Sequence, residues 1–181
     1  MLSRRLGKYA CLELERRYLL RELPTGLAQQ GNYWQITDWY LTGTRLRLRR
    51  MMRARSGETV FKFGQKYRGP SQTPGETTLT NLYLNEEEYE CLRQLGGREI
   101  NKRRYQHEHG GLVYGIDVFE GTLAGLILSE IECETEPEFE RLETPSFAVM
   151  EVTGELFFTG GYLAGLTREQ FEVGLAKWMC E

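Results

Sequence analysis

Charged side chains recur at every second position along several short segments of this chain. The clearest case runs from Arg45 to Arg49, where three arginines alternate with two leucines. Other segments also have charged residues an even number of positions apart, which we call the same parity. These sets are Glu13, Glu15 and Arg17; Lys62 and Lys66; Lys102 and Arg104; Glu130, Glu132 and Glu134. Because successive side chains of a β-strand point to opposite faces, each set lies on one face of its strand.

The signs of these charges are sorted by strand. A solvated face of an open antiparallel sheet also alternates, but it mixes the two signs. Here residues 45–49 are purely basic at the alternating positions and residues 130–134 purely acidic. This sorting indicates strands that present complementary charges to a shared space, such as the lumen of a closed eight-stranded antiparallel β-barrel. The intervening apolar side chains then face outward, where we expect helices that begin near Asn85 and near Thr167, the last helix, to cover the outer face of the sheet.

Turn residues separate β-rich segments along most of the chain, which predicts a mainly β (α+β) protein with peripheral helices. At 181 residues, we expect one domain spanning 1–181. Strands are predicted over 9–20, 32–41, 45–53, 59–67, 77–84, 99–106, 112–119, 126–134 and 148–153. Helices are predicted after Asn85, which precedes three glutamates, and after Thr167, which has Gln170 at the capping-box position. A helical turn is predicted over 138–142.

Composition excludes several classes of protein. The net charge of -3 argues against a surface for duplex nucleic acid, and the apolar runs are too short to span a bilayer. The four cysteines form no zinc pattern, so we expect reduced thiols in a cytoplasmic protein without membrane contact. The sequence lacks the glycine motifs of phosphate-binding loops and of dinucleotide-binding sites. It also lacks a Ser or Cys nucleophile with His and acid partners.

A lumen lined by clustered cations favours an anionic ligand, and clustered carboxylates favour a divalent cation. A polyphosphate with bound metal satisfies both. Guanidinium groups bind phosphate oxygens in a bidentate fork, while carboxylates hold Mg²⁺ or Mn²⁺. Cleavage of a phosphoanhydride requires mainly charge stabilisation, positioning and an activated water.

Seven segments, in order, resemble motifs of the CYTH family, the triphosphate tunnel metalloenzymes that include thiamine-triphosphatase-like proteins. The segment from Glu13 to Arg17 resembles the N-terminal ExExK signature. The other matching segments are Leu46-Arg47-Leu48-Arg49, Phe63-Gly64-Gln65-Lys66, Ile100-Asn101-Lys102-Arg103-Arg104-Tyr105, Ile116-Asp117-Val118-Phe119, Ser129-Glu130-Ile131-Glu132 and Glu151-Val152-Thr153. The resemblance implies a closed tunnel that binds triphosphates with Mg²⁺ or Mn²⁺.

The resemblance also implies roles for individual residues. Glu13, Glu15 and Arg17 would form the catalytic signature. Substrate phosphates would be bound by Arg17, Arg47, Arg49, Lys66, Lys102 and Arg104. Metal would be held, or the attacking water oriented, by Glu13, Glu15, Glu130 and Glu132. Further possible site residues are Arg45, Lys62, Asp117 and Glu151.

Two positions depart from the family pattern. Arg17 stands where the signature has Lys; it keeps the charge but is not a compact donor. Thr78-Leu79-Thr80-Asn81 stands where similar proteins carry an ExE pair, which weakens a second metal site or shifts the choice of substrate. The nearby Glu76 is interpreted as a turn residue.

Three other features have competing interpretations. His107 and His109 suggest a zinc site, but a flexible loop before two glycines is favoured because no third ligand is near in sequence. The arginines of 45–55 suggest a nucleic-acid patch, but their alternation with leucine favours a strand with one basic face. The aromatic residues Tyr33, Trp34, Trp39 and Tyr40 fit stacking at a tunnel mouth or outward packing equally well.

The sequence thus predicts a Mg/Mn-dependent triphosphatase, an acid anhydride hydrolase whose favoured substrate is inorganic triphosphate. The alternatives are an adenylate cyclase of class IV type and a thiamine or nucleoside triphosphatase. An alternative of another class is a non-catalytic protein that binds polyphosphate or nucleotide. The expected partner is a small triphosphate-containing molecule, and a homodimer is left open.

Overall fold

The structure, a computed structural model, describes residues 9–67 and 75–179 and contains one barrel-forming sheet. Its strands are β1 (Cys11–Leu20), β2 (Trp34–Leu41), β3 (Leu46–Arg53), β4 (Thr59–Tyr67), β5 (Glu76–Leu84), β6 (Gly97–His109), β7 (Leu112–Phe119), β8 (Ile127–Cys133) and β9 (Met150–Glu151). Eight of them pair antiparallel in the order β5-β4-β3-β2-β6-β7-β8-β1. Pairing of β1 with β5 through residues 11–14 closes the barrel, and the short β9 adds to β1 at Tyr18 and Leu19. The predicted fold class is confirmed.

The β6-β7 hairpin corrects one prediction. β6 continues to His109, and a tight turn at Gly110 and Gly111 follows, with φ of 59° and 78°. Two-residue turns with positive φ at both positions match the twist of antiparallel strands, so the ladder persists up to the turn. His107 and His109 are therefore paired strand residues, and the prediction of a flexible loop was wrong. Both rings pack edge-on against Phe147.

Apolar side chains fill one end of the barrel. Leu19, Ile100, Phe119 and Leu128 have the parity of the charged lumen residues, yet they form a buried cluster. The other buried members of this cluster are Leu123, Leu126, Val152, Phe158, Leu163 and Phe171. The C-terminal residues thus cover an end of the lumen, and the prediction that the last helix covers the outer face of the sheet was wrong. Period two alone does not reveal where along a strand the inward residues change from charged to apolar.

Two further clusters cover the outside of the barrel. One contains Tyr18, Leu20 and Ile116, with Phe147 packed against it. The other places Tyr89 against Leu41 and Leu48. Burial of these outward apolar residues stabilises the barrel by roughly 25 cal/mol for each Å² removed from water.

The described residues form four short α-helices beside the barrel: α1 (Glu86–Arg93), α2 (Glu136–Arg141), α3 (Gly160–Leu163) and α4 (Arg168–Met179). Before α1, the side chain of Asn85 accepts from the backbone N–H of Glu88, whose carboxylate accepts from the N–H of Asn85, at 2.8 Å each. Thr167 and Gln170 make the corresponding exchange at α4, so the predicted N-cap at Asn85 and the predicted capping box at Thr167 are both confirmed.

The remaining helices differ from expectation. α2 begins two residues before the predicted turn because Thr135 accepts from the N–H of Glu138 and Pro137 lies in the first turn. α3 was not predicted, since Gly160 and Gly161 are poor helix formers. In the described ranges, every helix is too short or too polar to cross a bilayer.

Replacing Asn85 with Ala should lower the free energy of unfolding by about 1 kcal/mol, because the N–H of Glu88 loses its acceptor. Chemical denaturation at pH 7 measures the change. Glu90→Ala, on an exposed position of the same helix, is the control and should stay within about 0.5 kcal/mol of the wild type. Equal destabilisation by the two variants would contradict the capping role.

Candidate active site

The lumen contains a cavity of about 360 Å³ beside the apolar end. Its wall is made by alternating residues of the strands and by part of the segment from Thr153 to Leu163. The structure brings to this wall twelve of the residues predicted from the sequence: Glu13, Glu15, Arg17, Arg45, Arg47, Arg49, Lys62, Lys66, Lys102, Arg104, Glu130 and Glu132. Residues from five different strands thus converge because the barrel directs one parity of each strand inward.

One side of the lumen, which we call the basic face, carries six cations and two buried aspartates. These residues are Arg45, Arg47, Arg49, Lys62, Lys102 and Arg104, with Asp38 and Asp117. Arg45 and Lys62 lie over aromatic rings, at 4.5 Å from the centroid of Tyr67 and 5.1 Å from that of Tyr83. The excess of positive charge makes this face suited to an anion.

Asp38 organises the arginines of β3. Its side chain is 2% exposed and accepts from Nε and Nη2 of Arg49 at 2.6 and 2.7 Å, while Nε of Arg47 lies 3.5 Å away. Burial by itself would raise the pKa of Asp38, but Arg49 and Arg47 outweigh burial and hold that pKa well below its usual range. Asp38 is therefore ionised at neutral pH and fixes the Arg49 fork in one orientation.

Asp117 organises the cationic side chains of β6 in the same way. It is fully buried and accepts from Nζ of Lys102 and, at 2.6 and 2.5 Å, from Nε and Nη2 of Arg104. Burial lowers the pKa of Lys102, and Arg104 also lowers it, whereas Asp117 opposes the change. Asp117 thus lies behind the cavity wall and supports two of its cations.

The opposite side of the lumen, the acidic face, consists of Glu13, Glu15, Glu130 and Glu132 with Arg17 and Lys66. Nζ of Lys66 lies 3.0 Å from a carboxylate oxygen of both Glu13 and Glu15. The two faces meet where Arg104 contacts Glu130. Burial would raise the pKa of Glu130, but Arg104 and Arg17 hold it well below its ordinary value.

Glu132 differs from the other lumen carboxylates. Within the described ranges it makes no ion pair or hydrogen bond, and it lies directly opposite Glu15 in the ladder. Glu132 lines the cavity but remains exposed to solvent; its partial burial raises its pKa, and the nearby charges of Glu13 and Glu15 raise that pKa further. Crowded carboxylates with an unneutralised member have the donor chemistry that Mg²⁺ and Mn²⁺ prefer. Among the described residues, however, no three acidic, His or Cys side chains are gathered closely enough to define a metal centre.

The structure does not bring Glu151 to the cavity. Its partner in the ladder is Tyr18, which faces outward, and its carboxylate lies 3.1 Å from Nη1 of Arg16 on the outside of the barrel. The cavity wall instead includes Thr153, two residues later. Glu76, interpreted from the sequence as a turn residue, is the first residue of β5 and also borders the cavity.

Sequence reasoning missed Asp38 as a site residue and left Tyr40 ambiguous. Both line the cavity, because they share parity on β2 and pair with Arg49 and Arg47 of β3. The sequence signal that could have identified Asp38 is a single acidic residue on the strand next to the basic strand. On β5, Thr77, Leu79 and Asn81 line the cavity together with Glu76 at the start of the strand, whereas Thr78 and Thr80 are not part of the wall.

Fold and site together define a closed antiparallel barrel with a charge-polarised lumen. Two solved structures of one protein share this fold. A structure described as the hypothetical protein NE1496 is 24% identical, with a TM-score of 0.58, and the match covers 86% of this chain and 99% of that one. A structure described as the inorganic triphosphatase NE1496 is also 24% identical, with a TM-score of 0.56 and coverage of 84% and 93%. The fold implied by the sequence motifs is thereby confirmed. No protein-family model matches this chain, and no curated protein matches it.

Replacing Asp38 with Asn should destabilise the protein by roughly 3 to 5 kcal/mol at pH 7, because Arg47 and Arg49 would remain buried without their counter-ion. Urea unfolding measures the loss. Since the pKa of folded Asp38 lies below that of an unfolded aspartate, its stabilisation is complete above about pH 5 and is lost on acidification. The difference between wild type and variant should therefore shrink as the pH falls below about 4.

The control is Glu99→Gln, which breaks an exposed pair with Arg93 and should cost at most about 1 kcal/mol. A loss at Asp38 no larger than that of the control, or a loss independent of pH, would show that Asp38 does not organise the basic face.

Proposed function

We propose that this protein is a metal-dependent hydrolase that cleaves a phosphoanhydride bond of a triphosphate, with inorganic triphosphate as its favoured substrate. The observation that carries the proposal is the polarised lumen. Six cations and two aspartates face four carboxylates and two cations across a cavity of about 360 Å³. A polyanion accompanied by a divalent cation is complementary to both faces at once.

The basic side chains bind the phosphate oxygens in this proposal. Arg47, Arg49 and Arg104 supply planar forks, and Lys66 and Lys102 supply compact charges. Asp38 and Asp117 hold three of these groups in place before substrate arrives. Cations fixed in this way need little reorganisation as negative charge shifts during the reaction, which is the usual source of electrostatic catalysis.

The acidic side chains fit a divalent ion by their chemistry. Glu13, Glu15, Glu130 and Glu132 would hold Mg²⁺ or Mn²⁺, and the crowding around Glu132 supports this assignment. When bound, such an ion neutralises phosphate charge and orients oxygen ligands.

The reaction is the attack of water on a terminal phosphorus atom. A new P–O bond forms, the anhydride P–O bond breaks, and orthophosphate and pyrophosphate are released when the substrate is inorganic triphosphate. Glu132, which has no cationic partner in the described ranges, orients the attacking water and accepts its proton. Arg104, which contacts both Glu130 and Asp117, lies where the two faces meet and binds the phosphate that the water attacks.

The size of the cavity favours a compact substrate. Its volume is near the lower end of the range for small-molecule sites, and an apolar cluster fills the adjacent end of the barrel. A protein of the same fold is described as an inorganic triphosphatase, which supports the same choice.

Purified protein should release orthophosphate from inorganic triphosphate in the presence of Mg²⁺ or Mn²⁺ and should be inactive in EDTA. Colorimetric phosphate release, with ATP and thiamine triphosphate as parallel substrates, ranks the three. Pyrophosphate release from ATP with formation of a cyclic nucleotide would instead identify a cyclase. Thermal stabilisation by triphosphate without turnover would identify a binding protein and overturn the hydrolase proposal.

Glu132→Gln should reduce turnover of inorganic triphosphate by at least about 100-fold, because the water loses its proton acceptor. The rise in Tm on adding triphosphate in EDTA should be retained, since this test contains no metal and the basic face is unchanged. Glu140→Gln, on the exposed surface of α2, is the matched control and should keep full activity. Wild-type turnover in Glu132→Gln would remove Glu132 from the mechanism.

A further inference from the structure

Arg17 contacts protein through three of its guanidinium nitrogens. Nη1 donates to the carbonyl oxygen of Phe158 at 2.9 Å, and Nη2 donates to Oε1 of Glu15 at 2.5 Å. Nε lies 3.2 Å from Oε1 of Glu130. β1, β8 and the turn Leu156–Phe158 therefore meet on one side chain, which is only 17% exposed.

The backbone of Arg17 holds the same part of the chain. Its N–H donates to Oγ1 of Thr153 at 3.0 Å, and its carbonyl accepts from the N–H of Val152 at 2.8 Å. We call residues 152–163 the closing segment, because they line the cavity and contribute Phe158 and Leu163 to the apolar end of the barrel. Both the main chain and the side chain of Arg17 therefore hydrogen-bond to the closing segment and hold it against the acidic face.

Resting on the proposed function, we propose that Arg17 is a positioning residue rather than a phosphate ligand. It fixes Glu15 and Glu130 and couples both carboxylates to the closing segment. The described contacts engage one N–H of each terminal nitrogen, and Nε lies beside Glu130 without a hydrogen bond. Protein groups therefore fix the orientation of the Arg17 side chain before any ligand arrives. Two cations of the basic face, Arg45 and Lys62, differ from Arg17 because they make no ion pair in the described ranges.

The shape of the guanidinium explains why this position has Arg. Its nitrogens form a rigid planar fork and reach acceptors that lie in different directions, whereas the donors of Lys share one nitrogen. A lysine at position 17 keeps the positive charge near Glu15, but it cannot reproduce the contacts with Phe158 and both glutamates together. Arg17→Lys therefore separates the positioning role from the charge.

Hydrogen exchange of the unliganded full-length protein, followed by mass spectrometry, tests the coupling. In Arg17→Lys, amides of the closing segment should exchange at least about 10-fold faster, because a loss of about 1.4 kcal/mol in local stability corresponds to that factor. Thr153→Val, which removes the acceptor of the Arg17 N–H but keeps the guanidinium, should accelerate exchange in the same segment. Arg50→Lys, on the outward face of β3, is the matched control and should leave this exchange unchanged.

Binding and turnover separate a positioning residue from a ligand. By calorimetry in EDTA, Arg17→Lys should bind inorganic triphosphate within about 3-fold of the wild type, whereas Arg47→Ala should bind it at least about 10-fold more weakly. With metal, Arg17→Lys should lower kcat by about 10- to 100-fold and change KM little, because displaced carboxylates affect the chemical step.

A loss of triphosphate affinity of 10-fold or more in Arg17→Lys, or unchanged exchange in the closing segment, would overturn the positioning role. Failure of the proposed function has a different signature, because the wild type itself would then neither bind nor hydrolyse triphosphate. The exchange measurement would still decide whether Arg17 holds the closing segment.

Discussion

The structure depends on the neutralisation of charges that a closed barrel forces into its own lumen. Closure of β1 against β5 turns one parity of every strand inward, away from most of the solvent. An ionised group transferred into such a space loses hydration that only a close counter-ion or hydrogen bond offsets. Asp38 and Asp117, both nearly or fully buried, supply that compensation to four cations.

The two aspartates do not neutralise all the charges of the lumen. The aspartates leave an excess of positive charge on the basic face, and Glu132 remains a carboxylate without a cationic partner in the described ranges. The two imbalances have opposite sign and lie across one cavity. A ligand that brings both a polyanion and a divalent cation neutralises them together, which is why the proposed function follows from the electrostatics of the lumen and not from one catalytic residue.

The closing segment adds a second constraint. Apolar residues from the C-terminal part of the chain fill one end of the barrel, and Arg17 fastens this segment to the carboxylates beside it. The guanidinium of Arg17 therefore links the packing of Phe158 and Leu163 to the geometry of Glu15 and Glu130. A rigid link of this kind keeps the carboxylates ordered where like charges would otherwise separate them.

The sequence by itself determined the strands, the inward orientation of most charged residues and the two helix N-caps, because period-two alternation and cap chemistry are local properties. It therefore predicted the barrel and twelve residues of the cavity wall. Asp38, the inward position of Tyr40 and the outward position of Glu151 depend on how β2, β3 and β9 pair, and pairing joins residues far apart in the chain. The apolar end of the barrel and the contacts of Arg17 were decided only by the tertiary structure. In each case the outcome rests on which distant segments meet, and no local pattern contains that information.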